Sequence, residues 1–257
     1  MTEHIAARLE DGVLHIVLQR PEKKNALTNA MYAAIADALD TAATDPTVRV
    51  VLFRAEGDCF SAGNDIMDFA SVATAAVDFA AMPVTRVLKA LAHAEKPLVA
   101  AVHGAAVGIG TTLLLHCDLV FVAEDAQLST PFINLALVPE AASSLLMPAR
   151  IGHARAYAMF ALGEKLSGLE AARLGLANTA VPADRLLETA LAGAKALAQR
   201  PPEALRITKR LMRDAESYAR IMDAEGAQFM ARLRSPEAQE AFAAFLQRRA
   251  PDFSKFA

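Results

Sequence analysis

The pattern of apolar and polar positions predicts a hairpin and then a helix at the start of the chain. The runs IAARLE and VLHIVLQ flank Asp11-Gly12, a dipeptide that favours the tight primed turn of a β-hairpin. Thr28 is a candidate N-cap for a helix that runs through MYAAIADALDTAA. Asp45-Pro46 then interrupts the helical pattern, so we expect this helix to end there.

Further along, apolar runs predict strands that alternate with helices. Val48–Ala55 and Pro97–Gly104 predict buried strands with alanine-rich helical sequence between them, and DLVFVAE and AQLST predict two more short strands. Crossovers long enough for parallel pairing indicate an α/β fold. Helical periodicity dominates from Ala141 onward. We expect a core over residues 1–198 and a helical C-terminal region over 199–257 that serves packing or oligomerisation.

Composition limits the class of protein. The chain has 257 residues, 54% apolar and 21% charged, which indicates a folded globular protein with a sizeable core. Its formal net charge of −3 gives no reason to expect a nucleic-acid partner. The two cysteines lack metal-ligand spacing, so we expect no metal site and a reducing compartment. The first residues lack the pattern of a secretory signal, and a cytoplasmic location is expected.

One apolar span, Leu98–Leu115, is long enough to cross a membrane. It contains His103 and three glycines, however, and charged residues lie close to both ends. We therefore interpret it as a buried strand, a glycine-rich turn and a buried helix, and expect no membrane insertion.

Two loops share a layout that can carry chemistry. In VRVVLFRAEGDCFSAGNDI and in PLVAAVHGAAVGIGTTLLL, a strand leads into a glycine-bearing loop and then into a helix start. Glycine permits positive φ angles, and a helix N-terminus presents unpaired N–H groups. Two such loops side by side could aim two amides at one oxygen, as an oxyanion hole does, or could be ordinary tight turns. No complete dinucleotide, phosphate-loop or nucleophile-elbow motif occurs in the sequence.

Glu140 is the one formally charged residue between Pro131 and Pro148. Its apolar neighbours allow two interpretations: a buried acid retained for chemistry, or a surface acid at the start of the helix that begins AASSLL. Apolar surroundings destabilise the charged form of a carboxyl group, which raises its pKa and makes the carboxylate a stronger base.

The order and spacing of several motifs resemble the enoyl-CoA hydratase/isomerase (crotonase) superfamily. The motifs are RPEKKNALT, FSAGNDI, VHGAAVGIG, HCDLVFVAEDAQLSTPF, LSGLEAARLGLANTAVP and PPEALRITK, and together they span nearly the whole chain. The resemblance implies a spiral of ββα units with a C-terminal helical region, assembled as a homotrimer or a dimer of trimers. It also implies an acyl-CoA substrate, no separate cofactor, and stabilisation of a thioester enolate by two backbone amides.

The resemblance also implies site residues. The oxyanion amides would be those of Asn64 and of Ile109, the latter at a position where the family usually has glycine. The CoA thioester would be bound by Lys23, Lys24, Ala62, Gly63, Asn64, Asp65, Ile66, Gly108 and Ile109. Lys23 and Lys24 are the candidates for the CoA phosphates, with solvated basic residues as the alternative. Part of Ile66–Thr85 is expected to form the wall of the acyl pocket.

Two departures from the family pattern bear on the reaction. Thr112 and Phe132 occupy the positions of the two glutamates that hold water in the hydratases, and neither side chain can act as a carboxylate base. Glu140, in VPEAASS, instead resembles the glutamate of peroxisomal-type 3-enoyl-CoA to 2-enoyl-CoA isomerases. We therefore expect an isomerase that uses Glu140 as a single proton shuttle, and mild effects of Thr112→Val and Phe132→Leu compared with Glu140→Gln. The alternatives are a hydratase or other crotonase reaction that uses a different acid, and a catalytically silent acyl-CoA-binding protein.

Overall fold

The computed structural model describes residues 2–68 and 79–256. Part of Ile66–Thr85, the expected wall of the acyl pocket, lies outside the described residues. The strands are β1 (Ile5–Glu10), β2 (Val13–Leu18), β3 (Val50–Ala55), β4 (Leu98–Val102), β5 (Ala105–Val107), β6 (Leu119–Ala123), β7 (Gln127–Ser129), β8 (Lys165–Ser167) and β9 (Thr179–Val181).

The larger sheet has six strands in the order β1, β2, β3, β4, β6, β9. The first two strands form the predicted hairpin, and both turn residues have positive φ angles, 52° at Asp11 and 79° at Gly12. The remaining neighbours pair in parallel. Parallel strands are usually covered on both faces, and every residue of β2 and β4 is buried.

The smaller sheet has the order β5, β7, β8, with a parallel pair followed by an antiparallel pair. The sequence pattern predicted β7 but not β5, β8 or β9. These three strands and β7 are each only three residues long, which leaves little room for an alternating pattern; β7 was predicted because it lies within the longer run AQLST. The helical region after Ala141 is therefore interrupted by two strands that the periodicity did not indicate.

The helices of the described residues are α1 (Asn29–Thr44), α2 (Pro83–His93), α3 (Ile109–Thr112), α4 (Ser143–Ile151), α5 (His153–Leu162), α6 (Gly168–Leu174), α7 (Leu186–Ala198), α8 (Pro202–Met212), α9 (Ala215–Leu233) and α10 (Pro236–Leu246). Thr28 caps α1 as predicted, because its hydroxyl accepts a hydrogen bond from the Met31 amide. The α/β class is confirmed, while the domain division at residue 198 stays a prediction. In the part of the chain described here, no helix is both long and apolar enough to cross a bilayer.

The last two helices pack against the loop that follows β7. They share an apolar cluster with it, made of Met82, Phe132, Leu137, Phe229, Met230, Leu233, Ala238 and Phe242. The ring centroid of Phe132 lies 6.2 Å from that of Phe160 and 6.4 Å from that of Phe229. Helix α9 is thereby held beside the loops that carry the candidate site residues.

Candidate active site

The two glycine-bearing loops are hydrogen-bonded to each other. Ser61 and Ala106 form an isolated parallel bridge. Within it the Val107 amide donates to the Ser61 carbonyl at 2.9 Å, and the Ser61 amide donates to the Ala105 carbonyl at 3.1 Å. The ends of both loops therefore lie side by side.

Gly63 is required by this close approach. Its φ angle is 90°, and a Cβ atom at this position would lie 2.9 Å from the Val107 carbonyl oxygen. Any other residue would be strained in this conformation and would push the two loops apart. The hydroxyl of Ser61 fixes the same turn, since it accepts a hydrogen bond from the Gly63 amide at 3.1 Å.

The amides of Asn64 and Ile109 follow directly after these turns. Asn64 pairs with Leu27 in a parallel bridge whose hydrogen bonds use the Gly63 carbonyl and the Asp65 amide. The N–H group of Asn64 therefore points away from Leu27. Ile109 is the first residue of α3, where a helix leaves its N–H groups without internal acceptors. Among residues 2–68 and 79–256, neither amide has an acceptor.

The first loop is anchored by Asn25, a fully buried residue of the RPEKKNALT motif. Its side-chain amide donates to the carbonyls of Glu56 at 2.8 Å and Cys59 at 2.7 Å. The backbone carbonyl of Asn25 accepts a hydrogen bond from the Ser61 hydroxyl at 2.9 Å. The motif thus supplies a structural clamp for the SAGND turn, a role that sequence reasoning did not assign to Asn25.

Glu140 is buried, with 8% of its surface exposed. The hydroxyl of Thr112, on α3, donates to its Oε1 at 2.5 Å. Burial raises the pKa of Glu140 from 4.5 to about 8, the Thr112 hydrogen bond opposes this rise, and the nearby charge of Glu225 adds to it. Of the two interpretations of Glu140, the buried acid is therefore the one the structure supports.

The backbone that carries Glu140 is strained and externally supported. Ala141 and Ala142 have φ angles of 61° and 56°, in the left-handed region that non-glycine residues rarely adopt. Glu225, on α9, accepts from the Ala142 amide at 2.6 Å, and the buried His116 donates from Nε2 to the Ala141 carbonyl at 2.8 Å. Sequence reasoning identified neither supporting residue, because both are distant in sequence from Glu140; His116 begins the HCDLVFVAEDAQLSTPF motif, but the motif does not show which residue its ring contacts.

Tyr32 connects Asn64 with the surroundings of Glu140. Its hydroxyl donates to the Asn64 side-chain oxygen at 2.6 Å. Burial and then the charge of Glu140 raise the Tyr32 pKa well above 10, so the phenol stays protonated. Tyr32, Asn64 and Glu140 line a cavity of about 40 Å³ together with apolar residues of α2 and α9, among them Leu88 and Phe229.

A larger cleft of about 790 Å³ opens beside the first loop. Seven of the predicted binding residues line it: Lys23, Ala62, Gly63, Asn64, Asp65, Ile66 and Gly108. Phe132, Phe229, Phe245 and Arg249 contribute to its other walls. Ile109 is buried and is not among the described residues that line the cleft, so its predicted role depends on its backbone amide alone.

The predicted phosphate-binding lysines differ in their surroundings. Lys23 lines the cleft, whereas Lys24 forms an exposed ion pair with Asp58 at 2.5 Å and does not line it. Arg249, which sequence reasoning missed, also lines the cleft, and its Nη1 pairs with Glu240 at 2.5 Å. Among the described residues, Lys23 and Arg249 are therefore the basic side chains that line this cleft.

The two positions that depart from the hydratase pattern lie at the site but supply no carboxylate. Thr112 is the hydrogen-bond partner of Glu140, and Phe132 is part of the apolar wall. The expectation that Thr112→Val is mild compared with Glu140→Gln stays a prediction, although the Thr112 hydroxyl contacts the acid directly. In the described ranges, no three His, Cys, Asp or Glu side chains are grouped as a metal site would require.

The sequence profile described as enoyl-CoA hydratase/isomerase matches residues 8–255. The chain belongs to the enoyl-CoA hydratase/isomerase family. It is accordingly an acyl-CoA enzyme with the crotonase fold. The solved structure of Pseudomonas aeruginosa OdaA has the same fold: it is 47% identical, with a TM-score of 0.92, over 96% of this chain and 100% of that one.

Relatives within the enoyl-CoA hydratase/isomerase family carry different activities in their names. Enoyl-CoA delta isomerase 2 of Rattus norvegicus is 37% identical over 93% of this chain, which spans 62% of the rat protein. 2,3-Dehydroadipyl-CoA hydratase of Escherichia coli K12 is 34% identical over 98% of this chain and 99% of its own length. Similarity alone therefore does not separate isomerase from hydratase.

Proposed function

We propose that this protein is an enoyl-CoA isomerase that converts 3-enoyl-CoA to 2-enoyl-CoA. The proposal rests on one observation: Glu140 is the one buried carboxylate in the ranges 2–68 and 79–256. The two positions at which the hydratases carry glutamate are Thr112 and Phe132. A double-bond shift needs one proton removed from C2 and one delivered to C4, which a single carboxylate can perform without water.

In the proposed reaction, the thioester oxygen accepts hydrogen bonds from the amides of Asn64 and Ile109. Fixed donors of this kind stabilise the negative charge that develops on the oxygen, each by roughly 100- to 1000-fold in rate. The Glu140 carboxylate removes a proton from C2, which gives a dienolate. The same carboxyl group then returns the proton to C4, and the double bond lies between C2 and C3. The acid ends the cycle in the state in which it began.

The surroundings of Glu140 suit this role. A pKa of about 8 makes its carboxylate a much stronger base than an exposed glutamate, while part of the population is still ionised near neutral pH. Because Thr112 occupies Oε1, the second oxygen is the one available to carry the proton. The protein therefore combines a strong base with a fixed orientation of the carboxyl group.

The cleft of about 790 Å³ is the proposed site for the rest of the acyl-CoA. Backbone atoms of Ala62–Ile66 and Gly108 would contact the thioester and its pantetheine arm. Lys23 and Arg249 are the proposed contacts for the phosphates, in place of the Lys24 contact considered from the sequence. The homotrimeric assembly also stays a proposal; it is supported by apolar side chains that α8 leaves exposed, such as Leu211 with 82% of its surface accessible.

Hydration of 2-enoyl-CoA is the second candidate function. The cavity of about 40 Å³ beside Glu140 is large enough for one water molecule, which needs roughly 10 to 15 Å³. Tyr32 and Asn64 offer it polar partners. A water there could be activated by Glu140 as a general base, although a second carboxylate of the usual hydratase pair is missing.

The test is to assay 3-enoyl-CoA and 2-enoyl-CoA in parallel with the wild type and Glu140→Gln. Isomerisation by the variant should fall by roughly 100-fold or more, because glutamine cannot accept the C2 proton. Glu124→Gln, at an exposed position, is the matched control and should retain wild-type activity. Full isomerase activity of Glu140→Gln would refute the proposal. Hydration as the main reaction of the wild type would favour the second candidate function. Binding of the substrate without turnover would indicate a silent acyl-CoA-binding protein.

A further inference from the structure

A second acidic residue supports the segment that carries Glu140. Glu225 lies on α9 and is distant from Glu140 in sequence. Its Oε2 accepts the Ala142 amide at 2.6 Å, and its Oε1 accepts the Ser144 amide at 2.9 Å. One carboxylate thus satisfies two amides at the start of α4, where a helix otherwise leaves its N–H groups unpaired.

These bonds are placed where the chain is strained. Ala141 and Ala142 both adopt left-handed backbone conformations directly after Glu140. Such conformations persist only when the surrounding structure fixes them. Glu225 holds Ala142 by accepting a hydrogen bond from its amide, and His116 holds Ala141 by donating a hydrogen bond to its carbonyl. The direction in which the Glu140 side chain leaves the backbone therefore depends on contacts from outside its own loop.

We propose that Glu225 is a positioning residue for Glu140: it holds the strained 140–142 segment in place and sets a second carboxyl group behind that of Glu140. The inference rests on the proposed function, since it assigns Glu225 a role in the proton transfer carried out by Glu140. Glu225 itself is not among the described residues that line the cleft or the small cavity, so in this proposal it acts through Glu140.

The charges around Glu140 are consistent with this role. Burial is the main cause of its raised pKa, and the charge of Glu225 raises it further. Tyr32, on α1, stays protonated, and burial lowers the pKa of His116 to about 3, which leaves that ring neutral. Asp65 lines the same small cavity as Glu140, but its pKa is lowered because hydrogen bonds from Arg20 and backbone amides outweigh its burial.

Asp68 also lines the small cavity and accepts a hydrogen bond from the Asn29 amide at 2.8 Å. Glu225 differs from both aspartates, because it combines a charge close to Glu140 with hydrogen bonds to the segment that carries it. Neutralising Glu225 should therefore lower the pKa of Glu140 and loosen its support, a combination that a purely structural residue would not produce.

The test is Glu225→Gln, which keeps the length of the side chain but removes its charge and one acceptor. Asp223→Asn is the matched control, because it removes one charge from an exposed position of the same helix. The first measurement is a pH titration of the Glu140 carboxyl group by infrared difference spectroscopy without substrate, with the band assigned by its loss in Glu140→Gln. The midpoint should lie near pH 8 in the wild type and the control, and lower in Glu225→Gln.

The second measurement is the pH profile of kcat/KM for the reaction the enzyme performs. The rising limb should move to lower pH in Glu225→Gln, and the plateau should fall roughly 10-fold because a displaced base transfers protons poorly. Glu225→Asp, which keeps the charge on a shorter side chain, should lower the plateau without moving the limb, and it provides a second variant if Glu225→Gln does not fold.

An unchanged Glu140 midpoint together with an unchanged plateau would overturn the proposal. The spectroscopic measurement needs no turnover, so it distinguishes a failure of this inference from a failure of the proposed isomerase activity. A lower midpoint in an inactive protein would leave the positioning role intact and refute only the activity.

Discussion

Glu140→Gln should stabilise the protein in a pH-dependent way, in addition to its effect on turnover. Glutamine has nearly the same volume as glutamate, and its side-chain oxygen can accept the hydrogen bond that Thr112 donates at 2.5 Å. The substitution therefore preserves packing and removes only the ionisable group. What disappears is the free-energy cost of keeping an acid in a site that disfavours its charged form.

The sign and size of the effect follow from the pKa. The unfolded chain releases the Glu140 proton near 4.5, whereas the folded protein retains it up to about 8. Between these values the folded state binds more protons, so the free energy of unfolding falls as the pH rises and levels off above about 8. At about 1.4 kcal/mol per pKa unit, the cost to the wild type is about 2 kcal/mol near pH 6 and about 5 kcal/mol near pH 9.

The assay is denaturant unfolding followed by far-ultraviolet circular dichroism at about pH 6 and about pH 9, with equal protein concentrations because self-association would shift the midpoint. Relative to the wild type, Glu140→Gln should gain about 3 kcal/mol between these two pH values. The exposed control Glu124→Gln should follow the wild type. If wild type and Glu140→Gln depend on pH in parallel, Glu140 does not have a strongly raised pKa, and the argument for a buried base fails.

Two further substitutions test the remaining parts of the site. Thr112→Val should reduce turnover near neutral pH by roughly 10-fold and move the rising limb of the kcat/KM profile to higher pH. The reason is that the hydrogen bond from Thr112 favours the charged form of Glu140, so its loss raises the Glu140 pKa. An unchanged pH profile would mean that the hydroxyl does not affect the Glu140 pKa. Gly63→Val should weaken binding of a CoA thioester by roughly 10-fold or more, measured by calorimetric titration, because its side chain would displace the Val107 carbonyl. Gly152→Ala is the control, because Gly152 also has a positive φ, of 79°, but a Cβ atom there would meet no other atom. This variant therefore introduces backbone strain without a steric clash. Equal affinity of Gly63→Val and Gly152→Ala for the CoA thioester would contradict the assignment of Gly63 to the binding site.

The local elements of the fold could be predicted because their signals are local. The Asp11-Gly12 turn and the Thr28 cap depend on backbone preferences within a few residues, and both are observed. The strands β5, β8 and β9 could not be predicted in the same way. Three-residue strands are formed by the neighbours they pair with, and their sequences carry no period of their own.

The candidate site was predictable only where one continuous motif supplies it. The SAGND and VGIG loops were recognised, and the structure brings them together through the Ser61–Ala106 bridge. The partners of Glu140 were not recognised. Thr112 was considered only as a missing carboxylate, and Glu225 lies in a helix whose sequence resembles any amphipathic surface helix. Their importance arises from tertiary packing, which places distant residues around one acid.

The two candidate lysines, Lys23 and Lys24, show where a sequence motif stops being informative. Lys24 forms an exposed ion pair with Asp58 and is not among the described residues that line the cleft, so its contact with phosphate stays a prediction. An adjacent residue, Lys23, lines the cleft instead. The side chains of consecutive residues in a turn point in different directions. A motif with two neighbouring lysines therefore does not show which of them contacts the ligand unless the backbone conformation is known.

Several departures from ordinary protein architecture occur around Glu140. Glu140 has a raised pKa, and the two residues that follow it, Ala141 and Ala142, adopt left-handed conformations. A second acid, Glu225, accepts a hydrogen bond from the Ala142 amide. The buried acid and the two left-handed alanines cost stability, and the hydrogen bonds that Glu225 accepts from the Ala142 and Ser144 amides offset part of that cost. Replacing the acid and relaxing the backbone would give a more stable protein by simple physical criteria. The occurrence of these features together, beside two amides that have no acceptor among the described residues, supports the proposed role of Glu140 in proton transfer.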